Sequence, residues 1–308
     1  MKVTIVGAGA MGYMTGALLK EGGEDVCLYS TNKKHIARIR KDGLIIEGIG
    51  GERFVSIEAT DMVEDIGQTD LIIIFVKSYD IEMAAEAAAK ISTQETAVLT
   101  LQNGLGNVEV LESVLGSKKI LAGTSDAAAT IVEPGRVRHT ANGNIYIGET
   151  DGQLTERVEK VVGLFKTAGF KAYASDNVMG LIWTKLIFNL AINPLGAILK
   201  AKCRKLIDNE PSRVTMKLIV EEALRVAEAK GVRLLNEDML QAAYDLAEKN
   251  ADSFCSMAQD ILKGKKTEID FISGAVVREG KKIGINTPIN QTMTHLVKAI
   301  EETQKREM

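Results

Sequence analysis

The order of apolar and polar positions divides the chain into two halves of different character. In the first half, short β-rich runs alternate with helical stretches. "KVTIV" (2–6) is a strand that ends in glycines, residues 10–21 follow as a small-residue helix, and "DVCLYS" (25–30) is a second strand. Residues 33–41 read as a helix, and "GLIIEG" (43–48) with "RFVSIEA" (53–59) predicts a hairpin around Gly50-Gly51. "DLIIIFVK" (70–77) has the unbroken apolar character of a strand buried on both faces. An alanine-rich helix over 80–91 leads to the strand "TAVLTLQNG" (96–104). After "KILAGT" (119–124), "GRVRHT" and "GNIYIGE" predict antiparallel strands around Asn142-Gly143. Strands that alternate with helices imply a doubly wound parallel sheet with antiparallel additions.

From about Asp176 onward the period is helical throughout. "EPSRVTMKLIVEEALRVAEAKG" (210–231) is a long amphipathic helix closed by Gly231. "DMLQAAYDLAEK" (238–249), "SFCSMAQDILKG" (253–264), "TEIDFISGAVVREGKKIG" (267–284) and "PINQTMTHLVKAIEETQKRE" (288–307) complete an all-α half, with Thr267 and Asp270 spaced as a capping-box-like helix start. The expected division is a nucleotide-binding domain over 1–172 and a helical domain over 173–308.

One helical stretch breaks its own pattern. "WTKLIFNLAINP" (183–194) is apolar apart from Thr184 and a stripe of Lys185, Asn189 and Asn193. Positions four apart drift by only about 40° around a helix, so the three share one face. Buried lysines are rare and buried amides need partners. Such a stripe is either a hydrogen-bonded structural network or the wall of a binding site. Pro194 is expected to end or kink the helix and expose its last turn.

Composition narrows the partners. The chain has 308 residues, 45% of them apolar, and a formal net charge of −3 with no sustained basic run, which speaks against nucleic acid. The longest apolar run, "LIIIFV" (71–76), is far too short to span a membrane, and no signal-peptide pattern opens the sequence. Cys27, Cys203 and Cys255 fit neither a disulfide framework nor a zinc pattern, and three scattered histidines do not suggest a metal. The expectation is a cytoplasmic protein with free thiols. His139 is expected on a β-ribbon and His295 on a surface helix.

"VTIVGAGAMG" places Gly7, Gly9 and Gly12 in GxGxxG spacing between a strand and a helix. The first glycine permits the tight turn, the second lets backbone approach a pyrophosphate, and the third lets helix and strand pack closely. With the helix N-terminus facing the phosphates, this is a Rossmann-type dinucleotide site. The second strand ends Tyr29-Ser30-Thr31-Asn32 before Lys33 and Lys34, with no carboxylate to take the ribose hydroxyls. Hydroxyls, an amide and cations suit a 2′-phosphate, which favours NADP over NAD. Lys77 and Asn103 close two further strands, at the carboxyl ends where ligands bind in such sheets.

The chain resembles the ketopantoate reductases (2-dehydropantoate 2-reductases). "GAGAMG", "FVKSYD", "LQNGLGN", "WTKLIFNLAINPLGAI", "SMAQDILKGKKTEIDFISGAVV" and "GINTP" occur in that family's order and approximate spacing, over nearly the whole chain. The resemblance implies a Rossmann domain joined to a helical domain, with an active site in the cleft between them. It implies NADPH-dependent reduction of 2-dehydropantoate to (R)-pantoate, a step towards pantothenate and coenzyme A. Lys185 matches the family's general acid and Asn103 an asparagine that touches nicotinamide and substrate. Asn189, Asn193 and Ser256 match substrate-binding residues, and Glu268 an acid near the cofactor and the lysine. Gly7, Ala8, Gly9, Ala10, Met11, Gly12, Lys77 and Ala129 fall at cofactor contacts. Many members carry an arginine at the end of the second strand, where this chain has Ser30, and the family includes an NAD-linked branch resembling D-mandelate dehydrogenases.

Three readings follow: the pathway reductase, a sister reductase of another 2-keto acid using NAD or NADP, and a non-catalytic NAD(P)-sensing protein. The expected partner is a small 2-keto acid, with no nucleic acid or membrane, and the assembly a monomer or homodimer.

Overall fold

The structure, a computed structural model, describes residues 1–307. The chain forms two compact units. One comprises Met1–Gln102 and Asn107–Met179, the other Asn103–Gly106 together with the chain from Gly180 onward.

The first unit runs β1 (Lys2–Val6), α1 (Ala10–Glu21), β2 (Asp25–Tyr29), α2 (Lys33–Asp42), β3 (Leu44–Gly48), β4 (Arg53–Val55), β5 (Glu58–Thr60) and β6 (Thr69–Ile74). It continues with α3 (Ile81–Ile91), β7 (Ser92–Thr100), α4 (Asn107–Leu115), β8 (Ile120–Ser125), β9 (Ala128–Glu133), β10 (Arg136–Ala141), β11 (Asn144–Glu149), α5 (Glu156–Thr167) and β12 (Lys171–Ala174). Eight strands form the main sheet in the order β12-β11-β8-β7-β6-β1-β2-β5, parallel except where β11 meets β8. The doubly wound α/β expectation is met. Leu71, Ile72, Ile73 and Ile74 of β6 are fully buried, as the unbroken apolar run requires. Helix α1 lies so close to the sheet that a Cβ at Gly16 would come within 2.6 Å of Leu28. This is why the helix is written in small residues.

The pairing of the later strands departs from the sequence expectation. The hairpin of β3 and β4 forms, but "RFVSIEA" splits, and β5 leaves to pair with β2 in the main sheet. The strands flanking Asn142-Gly143 are not partners. β10 pairs with β9 and β3 in a second sheet of order β4-β3-β10-β9, and β11 joins the main sheet. At the crossing, the Asp126 N–H donates to the Asn144 carbonyl at 2.9 Å, and a Cβ on Gly143 would meet the Asp126 carbonyl at 2.3 Å. The glycine permits a close backbone crossing between sheets rather than a hairpin.

The second unit is helical, as expected: α6 (Val178–Leu199, its first two residues belonging to the other unit), α7 (Cys203–Ile207), α8 (Glu210–Ala229), α9 (Met239–Lys249), α10 (Ser256–Leu262), α11 (Ser273–Lys282) and α12 (Pro288–Glu307). Asn209 caps α8 and Asp238 caps α9 through their side chains, and Gly231 follows α8 at φ +68°. The buried Glu222 carboxylate of α8 accepts the Ile289 and Asn290 N–H groups at the start of α12, each at 2.9 Å, and so holds two long helices together.

Three helix expectations are corrected. Helix α6 continues through Pro194 to Leu199 and stays buried from Ala191 to Ala197. Its end is closed instead by Lys200 at φ +48°, with Ala201 and Lys200 N–H groups returning to the Gly196 and Ala197 carbonyls. Helix α10 begins only at Ser256. The Thr267–Asp270 start is not a capping box. The Thr267 hydroxyl accepts the Ile269 N–H at 3.2 Å, a 3-10 turn spans Ile269–Phe271, and the Asp270 carboxylate pairs with Lys298 of α12 at 3.0 Å. Helix α6 is long and apolar enough to cross a membrane, but it is mostly buried in the protein interior. His139 lies buried on β10 and His295 exposed on α12.

Glu149, at the end of β11, is buried beside Arg157 and Thr155 of the α5 start. Burial alone would raise its carboxyl, but the Arg157 guanidinium and the Thr155 hydroxyl outweigh burial and hold it below the ordinary 4.5. A carboxyl depressed in the folded state adds stability above its unfolded pKa and loses it as pH falls through the folded value. Glu149→Gln should therefore cost about 1–2 kcal/mol near neutrality, discounted for the partial exposure of Arg157. The difference in melting temperature from the parent should shrink as pH is lowered from about 6 to about 3.

Candidate active site

In the first unit, the end of β1 gathers the expected cofactor residues. Gly7 takes φ +103° and donates its N–H to the Tyr29 carbonyl at 2.9 Å. Ser30 therefore lies directly beside the glycine loop. On the other side, a Cβ on Gly7 would come to 2.5 Å from the Val76 nitrogen, so Lys77 is also drawn to the loop. Lys77 sits beyond the end of β6, half-buried, at the head of a 3-10 turn over Ser78–Asp80. β2 and β6 flank β1 on opposite sides, so the loop stands at the topological switch point of the sheet.

The loop itself suits a dinucleotide. Gly9 caps α1 without any side-chain cap bond, and a Cβ there would have no atom within 4 Å. The backbone at the α1 start thus borders open space at Gly9, with no acidic side chain in the first turn. A Cβ at Gly12 would strike the Gly7 carbonyl at 2.2 Å, which fixes the third glycine. Ala8 is buried beneath the loop, while Ala10 and Met11 are half-buried at the helix start. Ala129 lies on β9, half-buried and paired with His139, and packs with Ala10 and Met11 against the same core.

At the end of β2, the Ser30 hydroxyl oxygen accepts the Asn32 N–H at 3.2 Å, and the Asn32 side chain accepts the His35 N–H at 3.3 Å. Ser30 keeps its own proton to donate. Lys33 and Lys34 are exposed at the start of α2. Beneath them the buried Tyr13 hydroxyl meets His35 Nδ1 at 2.6 Å, and burial pushes the Tyr13 phenol well above its ordinary range. This brace was not singled out from the sequence. Its two members are twenty-two positions apart and carry no local signature.

The second unit contains the other group. Lys185 and Asn189 are half-buried and Asn193 is buried on α6. Ser256 is exposed at the first position of α10, and the residue before it docks on α6, because Cys255 Sγ reaches the Asn193 carbonyl at 3.7 Å. Asn103 belongs to this unit too, although it follows the last strand residues of β7. Leu105 N–H donates to the Phe271 carbonyl at 2.9 Å, and Phe271 N–H in turn donates to the Glu268 carbonyl at 3.0 Å. The buried Glu268 and the half-buried Asn103 are thereby carried on one connected stretch of backbone. Gln102, also missed in the sequence, anchors the strand end before Asn103. Its amide donates to the Val76 carbonyl at 2.9 Å while its oxygen accepts from the Thr100 hydroxyl at 2.9 Å. Among the described residues no group of His, Cys, Asp or Glu is arranged to hold a metal.

Residues 3–152 match the family described as "Ketopantoate reductase PanE/ApbA", and residues 177–301 match its C-terminal counterpart. The chain belongs to the ketopantoate reductase family. The 2-dehydropantoate 2-reductase of Pyrococcus horikoshii is 36% identical over 98% of both chains, and that of Archaeoglobus fulgidus 32% identical over 97% of this chain and 98% of the other. A PanE/ApbA family ketopantoate reductase from Ralstonia eutropha superposes with a TM-score of 0.93 at 34% identity, covering 99% of this chain and 100% of the other. A D-mandelate dehydrogenase in a ternary structure with NADH and anilino(oxo)acetate gives the same TM-score of 0.93 at 28% identity, with 99% and 100% coverage. As a ketopantoate reductase family member the protein is an oxidoreductase of the NAD(P)-dependent kind.

The Asn103 loop makes a direct prediction. Gly104 has φ +86°, and a Cβ there would stand 2.3 Å from the Phe271 carbonyl. Gly104→Ala should cost about 1–2 kcal/mol in backbone strain and about 1–3 kcal/mol in displacement of that carbonyl. Hydrogen exchange should show the Leu105 amide opening faster, with the amides of β1 and β6 unchanged. Equal Leu105 rates in variant and parent would contradict this account of the loop.

Proposed function

We propose that the protein reduces 2-dehydropantoate to (R)-pantoate with NADPH, as a cytoplasmic enzyme of pantothenate and coenzyme A synthesis. What carries the reading is the polar stripe of Lys185, Asn189 and Asn193 on the mostly buried, apolar α6, in a chain that matches the ketopantoate reductases over residues 3–152 and 177–301. The open face at Gly9, the α1 start without a side-chain cap and the positive-φ turn at Gly7 fit a bound dinucleotide pyrophosphate. When bound, the nicotinamide supplies the hydride.

The remaining chemistry belongs to the side chains. Hydride arrival at a ketone carbon builds negative charge on oxygen, and a cation within hydrogen-bond reach stabilises that charge and delivers the proton. Lys185 takes this part as general acid. Asn189 and Asn193 hold hydroxyl and carboxylate oxygens without adding a charge, and Ser256 adds a hydroxyl. Asn103 orients substrate and nicotinamide, with Glu268 as the acid near the cofactor. Gly7 to Gly12, Lys77 and Ala129 hold the cofactor.

For NADPH over NADH the supporting feature is the β2 end. Ser30 retains a proton to donate, Lys33 and Lys34 are exposed at the start of α2, and the segment from Tyr29 to Lys34 itself carries no carboxylate. A second reading has its own support. Ser30 stands where many family members have arginine, and the likeness to a D-mandelate dehydrogenase solved with NADH favours a sister reductase of a bulkier 2-keto acid using NADH.

Loss of reduced-nicotinamide absorbance with 2-dehydropantoate, run with NADPH and NADH in parallel, separates the two. Faster turnover of NADPH with 2-dehydropantoate than with any other 2-keto acid is expected, and a bulkier keto acid reduced faster with NADH would establish the second reading. Lys185→Ala should lose about 10²- to 10⁴-fold in kcat while NADPH binding persists, the range ordinarily supplied by a positioned general acid. Near-parental turnover would remove Lys185 from that role. Ser30→Arg should raise the kcat/KM ratio of NADPH to NADH, and an unchanged ratio would mean that position 30 does not face the ribose.

A further inference from the structure

Cys255 occupies a position that its chemistry alone does not explain. It is a free thiol, half-buried, in extended backbone (φ −63°, ψ 161°) immediately before α10. Its Sγ donates a weak hydrogen bond to the Asn193 main-chain carbonyl of α6 at 3.7 Å. The sulfur fits there because residue 196, one turn further along the helix, is glycine. A Cβ at Gly196 would lie 2.7 Å from Cys255 Sγ. Burial, the main cause, pushes the thiol up to about 12, so it stays a protonated donor at neutral pH.

The backbone around the thiol is held from both sides. Cys203 N–H donates to the Ser253 carbonyl and Arg204 N–H to the Ala251 carbonyl, each at 3.0 Å, which pins the approach to α7. On the far side, the Cys255 carbonyl accepts the Gln259 N–H at 3.0 Å, and the Gln259 side chain returns to the Phe254 carbonyl at 2.9 Å. The next residue is Ser256, exposed, beside a helix whose Asn193 side chain belongs to the polar stripe. The side chain of Cys255 thus bonds the backbone of one proposed substrate residue and is covalently next to another.

We propose that Cys255 is a positioning residue for substrate binding: its thiol, seated in the notch left by Gly196, fixes Ser256 in register with Asn193. The inference rests on the proposed roles of Ser256 and Asn193. Cys255 itself touches no reacting atom. A side chain that sets where a binding hydroxyl stands acts on KM and leaves the hydride step nearly alone. Gly196 then has a functional reason to lack a side chain beyond helix packing.

Four variants of the full chain test this, with 2-dehydropantoate as the varied substrate and NADPH binding by fluorescence as the control for folding. Cys255→Ala should raise KM by about tenfold with kcat within about threefold of the parent. Cys255→Ser restores a donor and should recover most of that loss. Gly196→Ala, which expels the sulfur, should raise KM at least as much as Cys255→Ala. Should Gly196→Ala fail to bind NADPH, the two cysteine variants decide alone. Ser256→Ala calibrates the series, with a raised KM expected. A raised KM in Ser256→Ala with parental KM in Cys255→Ala would overturn the positioning role and leave the substrate role of Ser256 intact. Parental KM in Ser256→Ala would overturn that substrate role, and the positioning role with it.

Discussion

At Gly7 the chain leaves β1 in a conformation that a side chain would oppose, bonds its N–H to the end of β2, and presses its α-carbon against the backbone that follows β6. One missing Cβ therefore lets three strand ends converge. Ser30 and Lys77 come from segments far apart in sequence, and each reaches the loop because that convergence is allowed. The same closeness propagates into α1, where Gly12 and Gly16 let the helix settle on the strands, so the helix start is aimed by packing rather than by a capping side chain. The geometry of this loop depends on backbone proximity, and proximity is what glycine supplies.

The second unit is ordered by a different principle. Its segments are tied by polar groups that reach the main chain of another segment: Glu222 to the α12 start, Cys255 to the Asn193 carbonyl, Leu105 to the Phe271 carbonyl. Main-chain bonds of this kind specify register, whereas apolar burial alone leaves helices free to slide.

The features legible in the sequence were those with local causes. The glycine loop, the parallel strands and the long amphipathic helices each write their pattern within a dozen or so residues. The polar stripe on α6 was legible for the same reason. What escaped was set by distant partners. Nothing in "RFVSIEA" says that its last residues belong to another sheet, and Asn142-Gly143 looks like a hairpin turn until Asp126 is seen crossing it. Pro194 was expected to end or kink α6 and expose its last turn, yet the helix runs on, stays buried to Ala197, and is closed by Lys200 and a Schellman pair of bonds. Cys255 and Gln102 had no signal of their own, because each matters through a carbonyl far away along the chain.

The allegiance of residues 103–106 has a consequence for how this chain can be cut and recombined. The family matches fall into an N-terminal and a C-terminal block, which invites treating the halves as interchangeable modules. The polypeptide, however, passes from one unit to the other after Gln102, returns after Gly106, and passes again after Met179. A chimaera joined only at the last of these junctions would mate one parent's Gly104 with another parent's Phe271. A transplant that keeps the native lock must carry the four-residue loop along with the helical half, as two exchanged segments rather than one.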